Sequence, residues 1–191
     1  MKILLLDNYD SFTHMLKDYL EQCGANCILL RNDKITVAEI TLLTFDAILI
    51  SPGPKEPKDA GILMDLIAAF YKTKPVFGVC LGHQAIAEFF GASLNKAILP
   101  RHGKVDLVIH YGDEMFQHVP EKFEATRYHS LVINNLPNEL IATASCNNEL
   151  MAFKHKNLPI WAVQFHPESC QTFYGLQIIS NFVSMVKNQI P

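Results

Sequence analysis

Several apolar runs in this chain are not interrupted by polar residues, and this feature limits the possible folds most strongly. The clearest runs occupy residues 3–6, 47–50 and 76–79, and each leads through a turn into a helical pattern. A strand with one face in water alternates apolar and polar residues, whereas a strand covered on both faces need not. The sequence therefore predicts an α/β fold with an open, mostly parallel sheet and helices on both faces.

The helical patterns place apolar residues three or four positions apart. The first of these stripes includes Met15, which is therefore expected in the core; Asp10 or Ser11 can cap its start, and Gly24 lies where a helix commonly ends. Three further stripes, each long enough for a helix, occupy residues 62–70, 85–90 and 178–186.

Between residues 93 and 165 the pattern changes to short alternating segments, which are typical of antiparallel hairpins. We expect these hairpins to lie beside the parallel sheet or to close it. With no linker or repeat between the segments, the chain is predicted to be a single domain over residues 1–191. The segments are 105–109, 126–133, 141–144, 151–153 and 160–165.

Composition excludes several classes of function. The net charge is −3 and no cluster of Lys and Arg is present, which argues against nucleic acid and anionic membranes as partners. No apolar run approaches the roughly 20 residues of a membrane span. Five cysteines, an odd number without a C-x-x-C pair, favour a reducing cytoplasm over a disulfide framework. No metal site and no cofactor are expected, because His, Cys and acidic residues do not cluster at ligand spacing.

The stretch 78–82 reads Gly-Val-Cys-Leu-Gly and joins an apolar strand to a helix. This is the nucleophile-elbow pattern with Cys80 as the nucleophile, and the glycines allow a sharp turn that larger residues would block. The helix that follows points its N-terminus at the sulfur, which favours the thiolate, and leaves the Leu81 amide free for an oxyanion. The alternative is a buried structural cysteine, the role expected for the other four.

A thiolate nucleophile needs a proton carrier, and His166 is the best placed of the eight histidines. An apolar strand ends there in His-Pro-Glu, and residues two apart on an extended chain share a face. Glu168 can then fix the tautomer of His166, as the acid of a triad does. The alternative is a surface histidine before a turn. His83, three residues after the cysteine, is given a supporting role at most.

Three polar loops are further candidates, although each has an ordinary structural explanation. The proline-rich stretch 51–57 follows an apolar strand and could hold backbone amides rigidly at an oxyanion, or could be a simple turn. The stretch 7–13 follows the first strand, where helix capping would also explain its polar residues. The stretches 101–104 and 128–131 lie in the hairpin region and could be solvated loops.

Taken together, these motifs resemble the class I (triad) glutamine amidotransferases, in particular the small glutaminase subunits of aminodeoxychorismate and anthranilate synthases. The resemblance spans essentially the whole chain and implies a flavodoxin-like amidotransferase fold. The motifs fall in family order: Asp-Asn-Tyr-Asp-Ser-Phe-Thr at 7–13, Arg-Asn-Asp at 31–33, Ser-Pro-Gly-Pro at 51–54, Gly-Val-Cys-Leu-Gly-His-Gln at 78–84, His-Gly-Lys at 102–104, Tyr-His-Ser-Leu at 128–131 and Gln-Phe-His-Pro-Glu-Ser at 164–169.

The resemblance implies a role for each matching residue. Cys80 would be the nucleophile, His166 the general base and acid, and Glu168 its orienting partner. The substrate would be L-glutamine, and the ammonia would pass to a separate chorismate-binding synthase subunit. The residues implied in holding glutamine or its oxyanion are Gly53, Pro54, Lys55, Leu81, Gln84, Ser130 and Leu131.

Two positions depart from the family pattern. Lys55 stands where the family commonly has glycine, so a left-handed backbone there is in question. Met15 replaces a polar residue on the first helix, where we expect repacking or an altered contact with a partner chain. The alternatives to a glutaminase are a catalytically silent binding module on the same fold and a thiol hydrolase of another substrate. Between the two synthase routes, the Lys55 loop and the stretch 127–130 slightly favour aminobenzoate over anthranilate.

Overall fold

The computed structural model describes residues 1–189 and is built around a nine-stranded sheet, with a two-stranded sheet beside it. The strands, in chain order, are β1 (Lys2–Asp7), β2 (Asn26–Arg31), β3 (Ala47–Ile50), β4 (Val76–Val79), β5 (Ser93–Lys96), β6 (Lys104–His110), β7 (Lys122–Arg127), β8 (Leu131–Asn134), β9 (Leu140–Cys146), β10 (Glu149–His155) and β11 (Ile160–Val163). The large sheet has the order β2-β1-β3-β4-β11-β10-β9-β6-β7, and β5 pairs with β8 in the small one.

One half of the large sheet is parallel and deeply buried. Strands β2, β1, β3, β4 and β11 are parallel neighbours, and every residue of β3, β4 and β11 is buried. Burial on both faces is the reason that these strands have unbroken apolar sequences. The predicted α/β sheet with antiparallel additions is therefore confirmed.

The other half of the sheet is antiparallel, through β10, β9, β6 and β7. The segment 160–165 was expected to pair in an antiparallel hairpin. That expectation is wrong on the side that faces β4, where the pairing is parallel. Strand β11 runs parallel to β4 on one side and antiparallel to β10 on the other. Strand β11 therefore joins the parallel and the antiparallel half of the sheet. It ends at Val163, and the residues that follow lie next to the end of β4.

The segment 126–133, predicted as one strand, is broken in the structure. Its first residues belong to β7 in the large sheet, and its last belong to β8 in the small sheet. Residues 128–130 leave both ladders and cross between the sheets. The residues at the break, Tyr128 to Ser130, are polar or amphipathic, and the first apolar residue after them is Leu131, where β8 begins.

Helices cover both faces of the parallel strands, as predicted. Side chains alternate along β1, so that Ile3 and Leu5 pack in one core cluster with the first and last helices, while Leu4 and Leu6 pack in a second cluster with the third and fourth. The helices are α1 (Thr13–Gln22), α2 (Val37–Thr41), α3 (Leu63–Phe70), α4 (Leu81–Phe89) and α5 (Gly175–Lys187).

Helix α1 differs from its prediction at the start but not at the end. Phe12 is the N-cap, and the Asp10 carboxylate accepts the Phe12 N–H at 2.8 Å just before the helix, so neither Asp10 nor Ser11 caps it. Gly24 adopts φ 80° just after the helix, as predicted. Met15 is 41% exposed, so its assignment to the core is wrong. The buried face of α1 is narrower than the apolar stripe of its sequence.

The parallel strands bring four polar segments to one edge of the sheet. The carboxyl ends of β1, β3, β4 and β11 lead into residues 7–13, 51–57, 80–84 and 164–169 respectively. Parallel neighbours end at the same edge, which is where open α/β sheets place their sites. Within residues 1–189, no helix combines the length and the apolar character needed to cross a membrane.

Candidate active site

Cys80 occupies a strained turn between β4 and α4. Its backbone has φ 52° and ψ −97°, a combination that residues with a side chain rarely adopt. The Cys80 N–H donates to the carbonyl of Val163 at 2.8 Å, which fixes the turn against the end of β11. Strain of this kind persists only where the surroundings impose it, and it is typical of nucleophiles presented at the edge of a sheet.

The glycines on either side of Cys80 are required by close backbone approach. A Cβ atom at Gly78 would lie 2.6 Å from the carbonyl carbon of Gly82. A Cβ atom at Gly82 would lie 2.8 Å from the carbonyl oxygen of Ile50, on the neighbouring strand. Both distances are shorter than real Cβ contacts, and both neighbours are backbone atoms that cannot move aside cheaply. The elbow therefore needs glycine at both positions.

His166 and Glu168 form a buried pair beside the elbow. Nδ1 of His166 lies 2.6 Å from Oε1 of Glu168, and the two residues are only 3% and 1% exposed. They were expected on an extended strand, but the chain turns here: the N–H of Ser169 donates to the carbonyl of His166. The turn rather than strand alternation brings Glu168 beside the imidazole. The predicted contact is present, although the local structure behind it differs.

Electrostatics at His166 favour its protonated form. Burial disfavours the imidazolium, but the negative charges of the Cys80 thiolate and the Glu168 carboxylate outweigh it and hold the pKa of His166 well above its usual value. Nδ1 is the nitrogen of His166 that faces Glu168, and Nε2 has no hydrogen-bond partner among residues 1–189. The pair therefore presents one free ring nitrogen for proton transfer.

The other cysteines lack these features. Burial raises the pKa of Cys27 to about 11 and also raises the pKa values of Cys23 and Cys146. Cys170 is exposed, so the expectation that packing accounts for it is wrong. Cys80 alone lies at a strained turn next to a histidine–carboxylate pair.

The loop after β3 is held rigidly against the elbow. The Asn8 N–H donates to Oγ of Ser51 at 2.9 Å, and the Asn8 amide donates to the Ser51 carbonyl at 3.0 Å. Asn32 in turn donates to the Asn8 side chain at 3.0 Å. The sequence motifs that contain Asn8 and Asn32 gave neither residue a role. The structure shows that they brace the loop at residues 51–55.

Gly53 lies tightly against the side chains of Leu81 and Asn8. A Cβ atom at Gly53 would approach Cδ2 of Leu81 to 2.7 Å and Cβ of Asn8 to 2.6 Å, so only glycine fits. Leu81 is the first residue of α4, and the first N–H groups of a helix have no acceptor within the helix. The Leu81 amide at the start of α4 is therefore available to an acceptor outside the helix, next to Gly53.

Lys55 adopts the left-handed conformation that its family position suggested. Its φ is 66° and its side chain is exposed. An L-residue held in this region is less stable than one in the helical or extended regions, by about 1–2 kcal/mol. Lysine at this position therefore carries local backbone strain that glycine would not.

Replacing Lys55 by glycine is expected to raise the free energy of unfolding by about 0.5–1 kcal/mol, because relief of the left-handed strain exceeds the entropy cost of glycine. Urea denaturation of Lys55→Gly measures it. Lys58→Gly is the matched control, since Lys58 is also exposed but has no positive φ, and this variant should lose stability. Equal losses in both variants would contradict the strain argument.

Two cavities meet at Cys80 and Tyr128. The outer one, of about 440 Å³, opens to solvent and is also lined by His166 and residues 9–12. The second, called the inner cavity here, has a volume of about 150 Å³ and shares Cys80 and Tyr128 with the first. The Tyr128 ring packs edge-on against His166, with 4.9 Å between ring centroids. The inner cavity is lined by the predicted substrate residues Gly53, Pro54, Lys55, Gln84, Ser130 and Leu131.

A buried charge cluster supports the wall of the inner cavity. Arg127 is fully buried, pairs with Asp106 and Glu149, and donates from Nε to Nε2 of His129 at 3.1 Å. His129 must then carry its proton on Nδ1, which lies 2.9 Å from the Leu131 carbonyl. Burial and the Arg127 charge lower the pKa of His129 to about 4. Arg127 and His129 are thus buried supports of the site, whereas Ser130 between them and β8 is exposed.

His83 has no part in proton transfer at Cys80. It is fully buried against Phe153, with 4.7 Å between ring centroids, and neither ring nitrogen has a partner among residues 1–189. Burial, with a smaller effect from His129, lowers the pKa of His83 to about 3. In the part of the chain that the structure describes, no group of three or more His, Cys, Asp or Glu side chains is arranged to hold a metal ion.

Known proteins share both the sequence and the fold of this chain. The family model described as "Glutamine amidotransferase class-I" matches residues 4–186. Aminodeoxychorismate/anthranilate synthase component 2 from Bacillus subtilis is 43% identical over 191 residues, 98% of each chain. Anthranilate synthase component 2 from Azospirillum brasilense is 46% identical, covering 97% of this chain and 96% of that one. The crystal structure of a candidate GMP synthase protein from Thermoplasma acidophilum superposes with a TM-score of 0.89 at 30% identity, covering 99% of this chain and 95% of that one.

Proposed function

The chain belongs to the class-I glutamine amidotransferase family, and on that premise we propose that it hydrolyses L-glutamine to glutamate and ammonia at Cys80. The observation that carries the proposal is the strained Cys80 beside the buried His166–Glu168 pair. Cys80 lines both cavities, so an extended amide substrate bound in them would meet its sulfur. Neither a binding module nor a different thiol hydrolase is favoured, because the family model is that of glutamine amidotransferases and the relatives are named as synthase components.

In the first half of the proposed reaction, the Cys80 thiolate attacks the side-chain amide carbon of glutamine. The carbonyl π electrons move to oxygen, and the amides of Gly53 and Leu81 stabilise the oxyanion. His166 then donates the proton on Nε2 to the amide nitrogen, and the carbon–nitrogen bond breaks with release of ammonia. A γ-glutamyl thioester remains on the sulfur. The raised pKa of His166 keeps that proton available for this step.

In the second half, neutral His166 removes a proton from a water molecule that attacks the thioester. The same oxyanion site stabilises the second tetrahedral intermediate, the carbon–sulfur bond breaks, and glutamate leaves. Glu168 holds the His166 ring in one orientation and one tautomer throughout. Gln84, Ser130 and Leu131 would hold the rest of the substrate in the inner cavity.

We further propose that the ammonia passes to a separate synthase subunit that uses chorismate. The support is that the relatives from Bacillus subtilis and Azospirillum brasilense both carry the name component 2, one for both synthases and one for anthranilate synthase. Of the two routes, we keep aminodeoxychorismate, the aminobenzoate route, as the favoured one on the sequence of the Lys55 loop. We also propose that residues 1–191 form one domain that acts in the cytoplasm; the last two residues lie outside the described part.

The test incubates the purified chain with glutamine labelled with ¹⁵N in its side-chain amide, alone and with each candidate synthase subunit plus chorismate. We expect glutamate release, faster with the cognate subunit, and one labelled product whose mass and spectrum identify aminodeoxychorismate or anthranilate. Unlabelled ammonia added in excess should dilute the product label only if ammonia exchanges with solvent. Absence of glutamate under every condition would contradict the proposal.

A further inference from the structure

Gln164 is a fully buried polar residue that the proposed mechanism does not use. It follows the last residue of β11 and precedes His166 by two positions, and its backbone N–H donates to the Met151 carbonyl at 2.8 Å. A buried amide is costly unless its polar atoms find partners. Both ends of this side chain do so, and one of the partners is the Cys80 sulfur.

The amide of Gln164 lies between two residues of the site. Its Nε2 atom is 3.5 Å from Sγ of Cys80, and its Oε1 atom is 3.1 Å from Nε2 of Gln84. The Gln84 Nε2 atom also lies 3.4 Å from the carbonyl of Leu131. Gln84 lines the inner cavity, so the three side chains connect that cavity to the sulfur.

The chemistry of the partners fixes the direction of these hydrogen bonds. The Leu131 carbonyl can only accept, so the amino group of Gln84 faces it. That amino group also donates to Gln164, whose oxygen must therefore point towards Gln84. The amino group of Gln164 is left facing Cys80, where it can only donate. The Leu131 carbonyl also receives the hydrogen bond from His129, which is held in turn by Arg127.

We propose that Gln164 is a positioning residue that holds the Cys80 sulfur for attack. In this proposal a ligand in the inner cavity changes the contact between Gln164 and Cys80 through Gln84. The second half of the proposal rests on the proposed glutaminase function, since glutamine is the ligand of that cavity. A neutral N–H donor directed at sulfur favours the thiolate and restricts its position without adding a charge. A ligand that binds the Gln84 amide displaces the donor that holds the Gln164 oxygen.

The proposal distinguishes Gln164 from a residue that only packs. A packing role predicts loss of stability with little effect on the chemistry of Cys80. The positioning role predicts slower thiolate chemistry at Cys80 even without glutamine, and a fall in kcat with little change in KM. It also predicts that Gln84, which does not touch the sulfur, affects the reactivity of Cys80 through Gln164.

The test measures alkylation of Cys80 by iodoacetamide as a function of pH, without glutamine and in the Cys170→Ala background, because Cys170 is exposed. Gln164→Met keeps an unbranched side chain but cannot donate. We expect its alkylation rate near pH 7 to fall about tenfold, as loss of a hydrogen bond to a charged group predicts, and the half-maximal rate to move to higher pH. Gln22→Leu, at an exposed glutamine, is the matched control and should match the parent.

Gln84→Leu provides the second arm of the test. It should slow alkylation by about threefold, and combining it with Gln164→Met should add no further loss, because the two act through one contact. A parental alkylation rate in folded Gln164→Met would overturn the proposal. If Gln164→Met does not give a normal melting transition, the test rests on Gln84→Leu. A parental alkylation rate in Gln84→Leu would then overturn the proposal.

The alkylation test is independent of the glutaminase assay. Slow alkylation in the variants of a parent that never releases glutamate would support the hold on Cys80 and reject the proposed function. Normal alkylation in the variants of an active parent would reject the hold and leave the function standing. In an active parent, a rise in KM with unchanged kcat for Gln164→Met would also reject the positioning role.

Discussion

Replacing Cys80 by alanine is expected to abolish glutamine hydrolysis, with a loss on the order of 10⁶-fold or down to background. The cavity, the oxyanion amides and the His166–Glu168 pair all remain in this variant, but no atom can form the thioester. Because the residues of a catalytic triad act as a unit, the remaining ones should recover almost nothing. Release of glutamate from labelled glutamine, followed by mass spectrometry, measures the loss.

The matched control for this variant is Cys170→Ala, which removes the exposed thiol next to the His-Pro-Glu turn and should retain full hydrolysis. The Cys80→Ala protein should still give a cooperative melting transition, because alanine fits the same backbone turn without entering the neighbouring backbone. Full activity in a folded Cys80→Ala protein would rule out a thioester mechanism.

Local features of this site were predictable from sequence because their causes are local. A nucleophile elbow depends on a strand, two glycines and a helix within one short stretch, and each leaves its own signal around Cys80. The pair of His166 and Glu168 is also local, separated only by a proline. The prediction named the right partners even though a turn, and not an extended strand, joins them.

Features that depend on residues far apart in the chain were not predictable in the same way. The brace that joins Asn8, Asn32 and Ser51 links three strand ends, and each residue alone looks like ordinary loop sequence. The contact between Gln164 and Cys80 spans 84 positions. No periodicity records such contacts, because they arise only when parallel strands end at one edge of the sheet.

The sequence also did not predict which side chains on a given element are exposed. Met15 belongs to an apolar stripe but stays 41% exposed, and Phe12, the N-cap of the same helix, is 37% exposed. Arg127 shows the opposite case, since a charged residue in a predicted strand beside the polar stretch 128–131 is fully buried. A helical pattern gives the direction of the core but not the width of the face that another element covers. Burial of Arg127 required the paired carboxylates of Asp106 and Glu149, which come from other strands.

Replacing Glu168 by glutamine is expected to lower kcat for glutamine hydrolysis by about 10³–10⁴-fold, the scale seen when the acid of a comparable triad is neutralised. The amide can donate a proton as well as accept one, so it no longer fixes the His166 tautomer. It also removes one of the two negative charges that raise the pKa of His166, and burial then lowers that pKa relative to the parent.

The sign of the pH effect follows from the raised pKa of His166. In the parent the imidazolium survives well above pH 6.5, so the stability it contributes is complete below pH 6.5 and is lost as pH rises through the raised pKa. In Glu168→Gln the proton leaves at lower pH, and the alkaline limb of the kcat profile should move to lower pH with it. Glu124→Gln, at an exposed carboxylate, should leave both kcat and the profile unchanged. If the Glu168→Gln profile kept the parental alkaline limb, Glu168 would not set the protonation of His166. The raised pKa of His166 would then be due to the Cys80 thiolate alone.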